Sequence, residues 1–134
     1  MATIRVTHTL DDLRRDLEAI PGIVKRRGRE TVRRAAVAGN QAAKAHASVE
    51  HGYPGDEDAD YPPSFTVEQT GALRYEYGPD AAIGDGSKAT GYEFGSRNSP
   101  PHGDLAYSRD VARARLSEGT ADLVESLFWT GGEA

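Results

Sequence analysis

The chain contains no cysteine, which excludes disulfide bonds, thiolate metal ligands and cysteine nucleophiles. It also lacks any run of the ~18 apolar residues that a membrane-spanning helix needs. Its first residues, MATIRVTHTLDD, contain no apolar stretch typical of a secretion signal. These absences favour an intracellular or intraparticle protein with no membrane partner.

Large apolar side chains are scarce. Only 37% of the 134 residues are apolar, whereas 15 are glycine and 7 are proline. A chain of this length and composition predicts one domain, residues 1–134, with a thin core and much of its length in turns.

Motifs of common catalytic sites are absent too. The sequence has no H-E-x-x-H zinc motif, no G-x-S-x-G nucleophile motif and no phosphate-binding glycine loop. One catalytic alternative is a hydrolase or nuclease that uses Glu93 and His102 as an acid–base pair with Asp104. We expect instead a protein that is not an enzyme and that binds no metal or cofactor.

Charge is distributed unevenly between the two parts of the chain. Residues 1–50 carry ten Lys/Arg against six Asp/Glu, a net charge of +4, and residues 51–134 carry six against fifteen, a net charge of −9. Such a chain is suited to head-to-tail pairing with copies of itself, although the same charges can also pair within one subunit.

The N-terminal region predicts two consecutive helices. Leu10, Leu13, Leu17 and Ile20 recur at spacings of three and four, which is one face of a short helix. A strand is predicted at residues 3–6, and Thr9 is a candidate helix cap. Pro21-Gly22 interrupts or redirects the helix, and a second helix is predicted over residues 21–49.

The second helix has a regular face of small residues. This stripe consists of Val24, Gly28, Thr31, Ala35, Ala38, Ala42, Ala45 and Val49. Small side chains allow another backbone to approach closely but bury little area themselves. The pattern therefore favours a sheet of the same subunit packed across this helix over a coiled coil between copies.

The opposite face of the second helix is basic. Its cations are Lys25, Arg26, Arg27, Arg29, Arg33 and Arg34, and the only acid among them is Glu30. One alternative is a small DNA-binding protein that uses the helix at 25–34, because clustered cations contact phosphates. No interleaved aromatic residue supports base stacking, so we interpret this face as an assembly interface.

Residues 51–64 predict a flexible loop rich in acids. Its acidic residues are Asp56, Glu57, Asp58 and Asp60. Their spacing does not match a calcium-binding EF-hand loop. We interpret them as the partners of the basic face in assembly, and expect the tyrosines and prolines of this loop to become ordered against a neighbouring molecule.

The remainder of the chain predicts a small sheet and a closing helix. Residues 65–69 suggest a strand, Leu73, Tyr75 and Tyr77 alternate with polar residues, and residues 81–84 suggest a returning strand. Residues 104–129 are helical in pattern, with a predicted interruption of the helix at 117–120. The predicted fold class is α+β: a long N-terminal helix packed on a small antiparallel sheet, with a C-terminal helix.

Two short motifs follow one another in this part of the chain. The first comprises Thr70, Gly71 and Leu73, and the second comprises Tyr92, Glu93, Phe94 and Gly95, followed by Pro100 and Pro101. In this order, between a long helix and a final helix, they resemble the head–tail joining or tail-completion proteins of long-tailed phages, typified by gene product ten of a lambda-like phage. The chain departs from that pattern at Gly103-Asp104-Leu105, where the family usually has Pro-Phe-Leu.

The resemblance implies a structural protein of the virion neck. It would form a homo-oligomeric ring matched to the sixfold tail or twelvefold portal, or alternatively a tail terminator ring capping the tail tube. Its partners would be the portal or a head-side adaptor or stopper protein, a tail terminator or tail tube protein, and genomic DNA passing through without sequence-specific recognition. Assembly would take place in the host cytoplasm.

The resemblance also suggests roles for the second motif. Tyr92 and Phe94 are expected to anchor a turn in the core, Gly95 to adopt a backbone conformation open only to glycine, and Glu93 to act as a hydrogen-bonding scaffold group. The loop at 96–104, with Pro100, Pro101 and His102, is expected to be held out for contact.

Overall fold

A computed structural model describes residues 10–53 and 55–129, without the side chains of residues 128 and 129. Helix α1 spans Leu10–His51, strands β1 and β2 span Phe65–Gly71 and Arg74–Pro79, helix α2 spans Ala89–Phe94 and helix α3 spans Asp104–Trp129. Short 3₁₀ turns occur at Pro62–Ser64 and Gly86–Lys88. The predicted strand at 3–6, the cap at Thr9 and the side chain of Phe128 lie outside the described residues.

Helix α1 is continuous, and the predicted break at Pro21-Gly22 is wrong. The helix has 42 residues and contains Pro21 in its interior. Proline cannot donate a hydrogen bond to the carbonyl of Leu17, but its φ angle is compatible with a helix. Pro21 and Leu17 are both exposed, so water can satisfy that carbonyl. At its full length α1 is about 63 Å long.

Helix α3 packs antiparallel along α1. Near the C-terminal end of α1, His46 contacts Asp104, and towards the other end Arg27 Nη1 donates to Ser126 Oγ at 2.5 Å. Between them the helices approach closely, because a Cβ on Gly119 would lie 2.6 Å from Thr31 Cγ2. The predicted helix over 104–129 is confirmed, and it continues without interruption through residues 117–120.

The sheet is a two-stranded antiparallel hairpin. Its register pairs Phe65 with Pro79 and Val67 with Tyr77, and an irregularity lies between Gln69 and Gly71 at the tip. The tip rests on α1, where a Cβ on Gly28 would lie 3.3 Å from Leu73 Cδ2.

The returning strand predicted at 81–84 is wrong. That segment forms a turn, in which the Asp80 carboxylate accepts a hydrogen bond from the Ala82 backbone at 2.9 Å. The Asp80 carbonyl accepts another from the Ile83 backbone at 3.0 Å. These hydrogen bonds to Asp80 therefore close a turn in this segment. A strand would instead need hydrogen bonds to a neighbouring strand.

The α+β fold is confirmed. A long N-terminal helix, a small antiparallel sheet and a C-terminal helix that packs against the first helix make up the described chain. None of the helices in residues 10–53 and 55–129 combines the length and the apolar character that crossing a bilayer requires.

The buried face of α1 differs from the predicted stripe in its second half. The buried residues of α1 are Ala35, Ala36, Gly39, Ala43, Ala47 and His51. Ala45 is exposed, and Val49 is 62% exposed. A spacing of four residues drifts by about 40° per step around an α-helix, so the buried face winds around α1. It turns from α3 towards the aromatic residues that cover the C-terminal half.

These aromatic residues form the core. Tyr61 and Phe65 pack against Ala43 and Ala47, and Tyr77 joins them from β2. The core is thin, as the composition predicts, because α1 contributes mainly small side chains to it.

We predict that Gly39→Ala will destabilise the fold and that Gly22→Ala will stabilise it. A Cβ on Gly39 would lie 2.6 Å from Tyr77 Cζ, whereas nothing lies within 4 Å of one on Gly22. Alanine in an open helical site gains about 0.5–1 kcal/mol, whereas overpacking costs about 1–3 kcal/mol. Chemical denaturation of both variants measures the difference. Equal stabilisation by the two substitutions would contradict the close approach of Tyr77.

Candidate functional site

Glu93 caps the N-terminus of α3. It lies on the short helix α2 and is 8% exposed. Its two carboxylate oxygens accept hydrogen bonds from the backbone N–H groups of Leu105 and Ala106, both at 2.9 Å. These N–H groups have no partner within their own helix, and the positive end of the helix dipole favours an anion there. In this structure Glu93 therefore holds the beginning of α3 to α2.

Glu93 and His102 do not face each other as an acid–base pair. His102 Nδ1 lies 3.5 Å from a carboxylate oxygen of Glu50, near the C-terminal end of α1. The His102 backbone N–H donates to the Tyr92 carbonyl at 2.8 Å. His102 is half-buried and contacts α1 and α2 through Glu50 and Tyr92. The sequence predicted that it would project from the surface for contact.

A cluster of histidine and tyrosine rings surrounds the end of α1. The ring of His51, which is 2% exposed, lies 4.4 Å from that of His102, 4.5 Å from that of Tyr92 and 5.3 Å from that of Tyr61. His51 Nδ1 lies 3.5 Å from an Asp58 carboxylate oxygen, which joins the acidic loop to the helix. The Tyr92 hydroxyl donates to the other oxygen of Asp58.

Burial perturbs both tyrosines of this cluster. It raises the pKa of Tyr61 well above its ordinary value, and the nearby carboxylates of Asp104 and Glu93 raise it further. Burial also raises the pKa of Tyr92, and the hydrogen bond of its hydroxyl to Asp58 raises this pKa further. Tyr92 has a partner for its hydroxyl, whereas the buried Tyr61 hydroxyl has no hydrogen-bond partner among the described residues.

A second polar contact joins α1 to the beginning of α3. Asp104 is fully buried, and one of its oxygens lies 2.5 Å from His46 Nδ1. The ring of Tyr107 stacks on His46 at 4.6 Å. The Tyr77 hydroxyl and Ser108 Oγ, 2.9 Å apart, connect β2 to the same turn of α3. Together these contacts fix the position of α3, which is a structural role.

Phe94 corrects one expectation from the sequence. It is 77% exposed, whereas Tyr92 packs against the core. In an extended strand, residues two positions apart such as Tyr92 and Phe94 would lie on the same face. Here they lie on the helix α2, where successive side chains rotate by about 100°. Gly95 ends α2 with a φ of 83°, as expected for a glycine position, and Pro100 and Pro101 are exposed.

The acidic loop is more ordered than predicted. Backbone hydrogen bonds close successive turns, including Asp56 N–H to the Tyr53 carbonyl at 2.9 Å and Tyr61 N–H to the Asp58 carbonyl at 3.0 Å. Tyr61 is buried in its own subunit, where the sequence suggested ordering against a neighbour. Asp58 faces inward to His51 and Tyr92, while Glu57 and Asp60 are exposed.

The cations of the basic face are all exposed, but several of them pair with other groups. Arg33 and Arg34 both bind the Glu30 carboxylate, at 3.0 and 3.1 Å. The Arg33 hydrogen bond is the main cause that lowers the pKa of Glu30, and Glu30 in turn raises the pKa of Arg33. Arg29 Nε donates to the Ala72 carbonyl at the hairpin tip at 3.3 Å. Lys25 and Arg26 are exposed.

The exposed cations of the basic face and the exposed acids of the acidic loop lie far apart. The basic face ends at Arg34, whereas the acidic loop is attached at His51, about 26 Å further along the helix axis. Exposed charges beyond a Debye length of about 8–10 Å are largely screened from each other. The exposed members of the two sets therefore contribute little attraction to each other within the chain.

A groove of about 370 Å³ lies between α1 and α3. Arg27, Arg34 and Arg115 line it together with Glu30, Glu118 and Asp122. Cations and carboxylates alternate, so the groove does not favour a ligand of one charge. No group of histidine, cysteine, aspartate and glutamate side chains suited to a metal ion occurs within residues 10–53 and 55–129.

Sequence reasoning did not identify the cluster around His51 or the contact between His46 and Asp104. The available signal was the pair His46 and His51 near the end of the long helix, whose spacing of five residues is not that of a zinc-binding pair on a helix. No family model, curated protein or solved structure matches the chain.

The two tyrosines should respond differently to loss of their hydroxyls. At pH 7 we expect Tyr61→Phe to leave stability unchanged or raise it by up to ~1 kcal/mol, because a buried hydroxyl without a partner is unfavourable. Tyr92→Phe should cost ~1–3 kcal/mol, because it removes the hydrogen bond to Asp58. Urea denaturation of both variants provides the comparison.

The same variants should differ in their dependence on pH. A tyrosine whose folded pKa is raised stabilises the fold fully below its unfolded value of about 10, and this contribution is lost as pH rises above it. Stability of the parent should therefore fall above about pH 10, and Tyr61→Phe should fall less steeply. A Tyr61→Phe variant that is far less stable than the parent at pH 7 would contradict the conclusion that the Tyr61 hydroxyl has no hydrogen-bond partner.

We predict that Glu93→Ala will destabilise the fold by ~2–3 kcal/mol, because two N–H groups of α3 lose their acceptor. Glu93→Gln keeps one amide oxygen as an acceptor and should cost about half as much. Faster amide hydrogen exchange at Leu105 and Ala106 would localise the effect. The matched control is Glu76→Ala, which removes an exposed carboxylate from β2. Equal effects of Glu93→Ala and Glu76→Ala would refute the cap.

Proposed function

We propose that this protein is a structural subunit of the neck of a long-tailed phage, where a ring of copies joins the DNA-filled head to the tail. The order of elements supports this proposal: a long helix, a hairpin with Thr70 and Gly71 at the end of its first strand, a Tyr-Glu-Phe-Gly segment, a proline loop and a final helix. The exposed positions of Phe94, Pro100 and Pro101 leave this segment free to contact another protein.

The separation of exposed charge along α1 carries the proposal. Lys25 and Arg26 lie on one part of the helix, and Glu57 and Asp60 lie beyond its other end. Two different surfaces that attract each other produce head-to-tail contacts between copies, and such contacts close into a ring when the rotation permits. Each exposed ion pair contributes only ~0–1 kcal/mol, but a set repeated at every interface selects orientation and register.

The proposed position in the neck implies the partners of the ring. Besides other copies of itself, the ring would contact the portal or a head-side adaptor or stopper on one side and a tail terminator or tail tube protein on the other. Genomic DNA would pass through without sequence-specific recognition. A tail terminator ring is the alternative within this class, and assembly would occur in the host cytoplasm before the virion is complete. The role is structural, with no catalysis or cofactor.

A small DNA-binding protein remains the alternative from another class. The pairing of Arg33 and Arg34 with Glu30 leaves fewer cations free for phosphates than the sequence suggests. Affinity for duplex DNA that falls steeply with salt would favour this alternative, because phosphate contacts release counterions. Assembly through protein contacts predicts weak DNA binding by the isolated subunit.

Charge reversal tests the assembly interface. In the phage that encodes this chain, we expect Lys25→Glu with Arg26→Glu to leave the subunit folded and to give filled heads and separate tails in electron micrographs. Glu57→Lys with Asp60→Lys should have the same effect. Combining all four substitutions should restore joining, because the attraction is re-established with the signs exchanged.

Controls separate this interface from net charge and from DNA contact. Lys44→Glu with Arg113→Glu changes two exposed cations elsewhere and should leave joining intact. Gold-labelled antibody against the chain should mark the neck of complete particles. Particles that contain none of the protein would overturn the proposed function. Particles that join but fail to retain or eject DNA would place the basic face in the DNA channel.

A further inference from the structure

Two carboxylate groups lie in the interior where α2 meets the beginning of α3. Asp104 is fully buried, and Glu93 is 8% exposed. Glu93 accepts a hydrogen bond from the backbone of Leu105, the residue next to Asp104. Burial raises the pKa of Tyr61, and the charges of both carboxylates raise it further, so both lie near this ring. Two negative charges in the interior are unfavourable unless protons or cations compensate them.

The two carboxylates have different partners. Glu93 accepts two hydrogen bonds from the N-terminus of α3, where the helix dipole favours an anion. One oxygen of Asp104 lies 2.5 Å from His46 Nδ1, whereas the other is buried without a donor among the described residues. Neither carboxylate forms an ion pair with a lysine or arginine in residues 10–53 and 55–129. A cation therefore compensates Asp104 only when the ring of His46 is positively charged.

The surroundings of His46 favour that positive charge. Its side chain is 29% exposed, so the charged ring keeps contact with water. The ring of Tyr107 stacks on it at 4.6 Å, and the face of an aromatic ring attracts a cation. Glu50 lies one turn further along the same side of α1 and adds a second negative charge. The other titratable group that contacts Glu50 is His102, at 3.5 Å.

We propose that His46 and Asp104 form a proton-dependent ion pair, which makes the packing of α3 on α1 sensitive to pH near neutrality. When the charged ring of His46 loses one of its two protons to solvent, it can still donate one hydrogen bond. It no longer compensates the charge of Asp104, however, and a buried charge without its counter-charge is strongly destabilising. The ion pair belongs to the subunit itself and does not depend on a place in the virion.

The other two histidines of the described chain do not have the same surroundings. His51 is 2% exposed, and its Nε2 has no hydrogen-bond partner among the described residues. Asp58, 3.5 Å from His51 Nδ1, favours a positive charge there, but burial opposes it. The rings of His51 and His102 lie 4.4 Å apart, so positive charges on both would repel each other. Only His46 combines a buried carboxylate partner with a partly exposed ring.

The proposal fixes the direction of the dependence on pH. A free histidine loses its proton near about pH 6.5. Below that pH, His46 is charged in both the folded and the unfolded chain, and the ion pair contributes its full stabilisation. Above it, the unfolded chain loses the proton and the folded chain retains it. The equilibrium constant for unfolding should therefore rise by up to about tenfold per pH unit, so stability is lost as pH increases.

An NMR titration of the His46 ring in the full chain tests the charge directly. At about pH 7.5, where a free histidine is mostly neutral, we expect the ring chemical shifts of a charged imidazole. In Asp104→Asn the ring should be neutral at the same pH, because the negative charge beside it has been removed. A His46 ring that is neutral at this pH in the parent would overturn the inference, as would one that stays charged in Asp104→Asn.

Urea denaturation between about pH 6.5 and 8 tests the effect on stability. His46→Gln with Asp104→Asn replaces the ion pair with two neutral amides. The unfolding constant of the parent, divided by that of this double variant, should rise by about tenfold over the range. A ratio that does not rise with pH would overturn the inference, and far-UV circular dichroism checks that the double variant is folded. If it is not, the NMR titration of the parent decides.

His102→Gln is the matched control for the denaturation experiment. It removes a histidine whose carboxylate partner, Glu50, is 45% exposed, and it leaves His46 and Asp104 in place. This variant should keep the dependence on pH that the parent shows. Loss of that dependence in His102→Gln would assign it to the contact between His102 and Glu50 and would refute the role of His46.

Discussion

Close approach between the small residues of α1 and a few aromatic rings is the constraint on which the fold depends. Gly39 admits the ring of Tyr77, and Ala43 and Ala47 form the surface on which Tyr61 and Phe65 pack. Because α1 contributes little area of its own, the stabilisation comes from rings carried by the hairpin and the loop before it. The long helix and the short elements are therefore stable only together.

Polar contacts then fix the position of α3 relative to the other elements, which the thin core alone determines only weakly. Glu93 binds the first N–H groups of α3, His46 binds the buried Asp104, and Tyr77 reaches Ser108 on the same turn. Each bond connects a different element to the beginning of α3. Unsatisfied buried polar groups cost more than ordinary hydrogen bonds gain, so such contacts specify one arrangement of the elements more strongly than they stabilise it.

The surface features have a different character. The exposed cations Lys25 and Arg26 and the exposed acids Glu57 and Asp60 contribute little to the stability of the chain. They lie at different ends of a helix about 63 Å long, where contacts within the chain do not join them. Our proposals assign these groups to contacts between molecules, and the buried polar network to the subunit itself.

The sequence alone determined the elements with strong periodicity or simple chemistry. Local pattern predicted the α+β class, the final helix at 104–129 and the alternation of Tyr75 and Tyr77 in β2. Only the tertiary structure decided the continuity of α1 through Pro21, the burial of Tyr61 and the exposure of Phe94. It also brought His51, Tyr92 and His102 together from three segments. These outcomes depend on which surfaces meet, and residue spacing along the chain encodes a face of a helix or strand but not the partner that covers it.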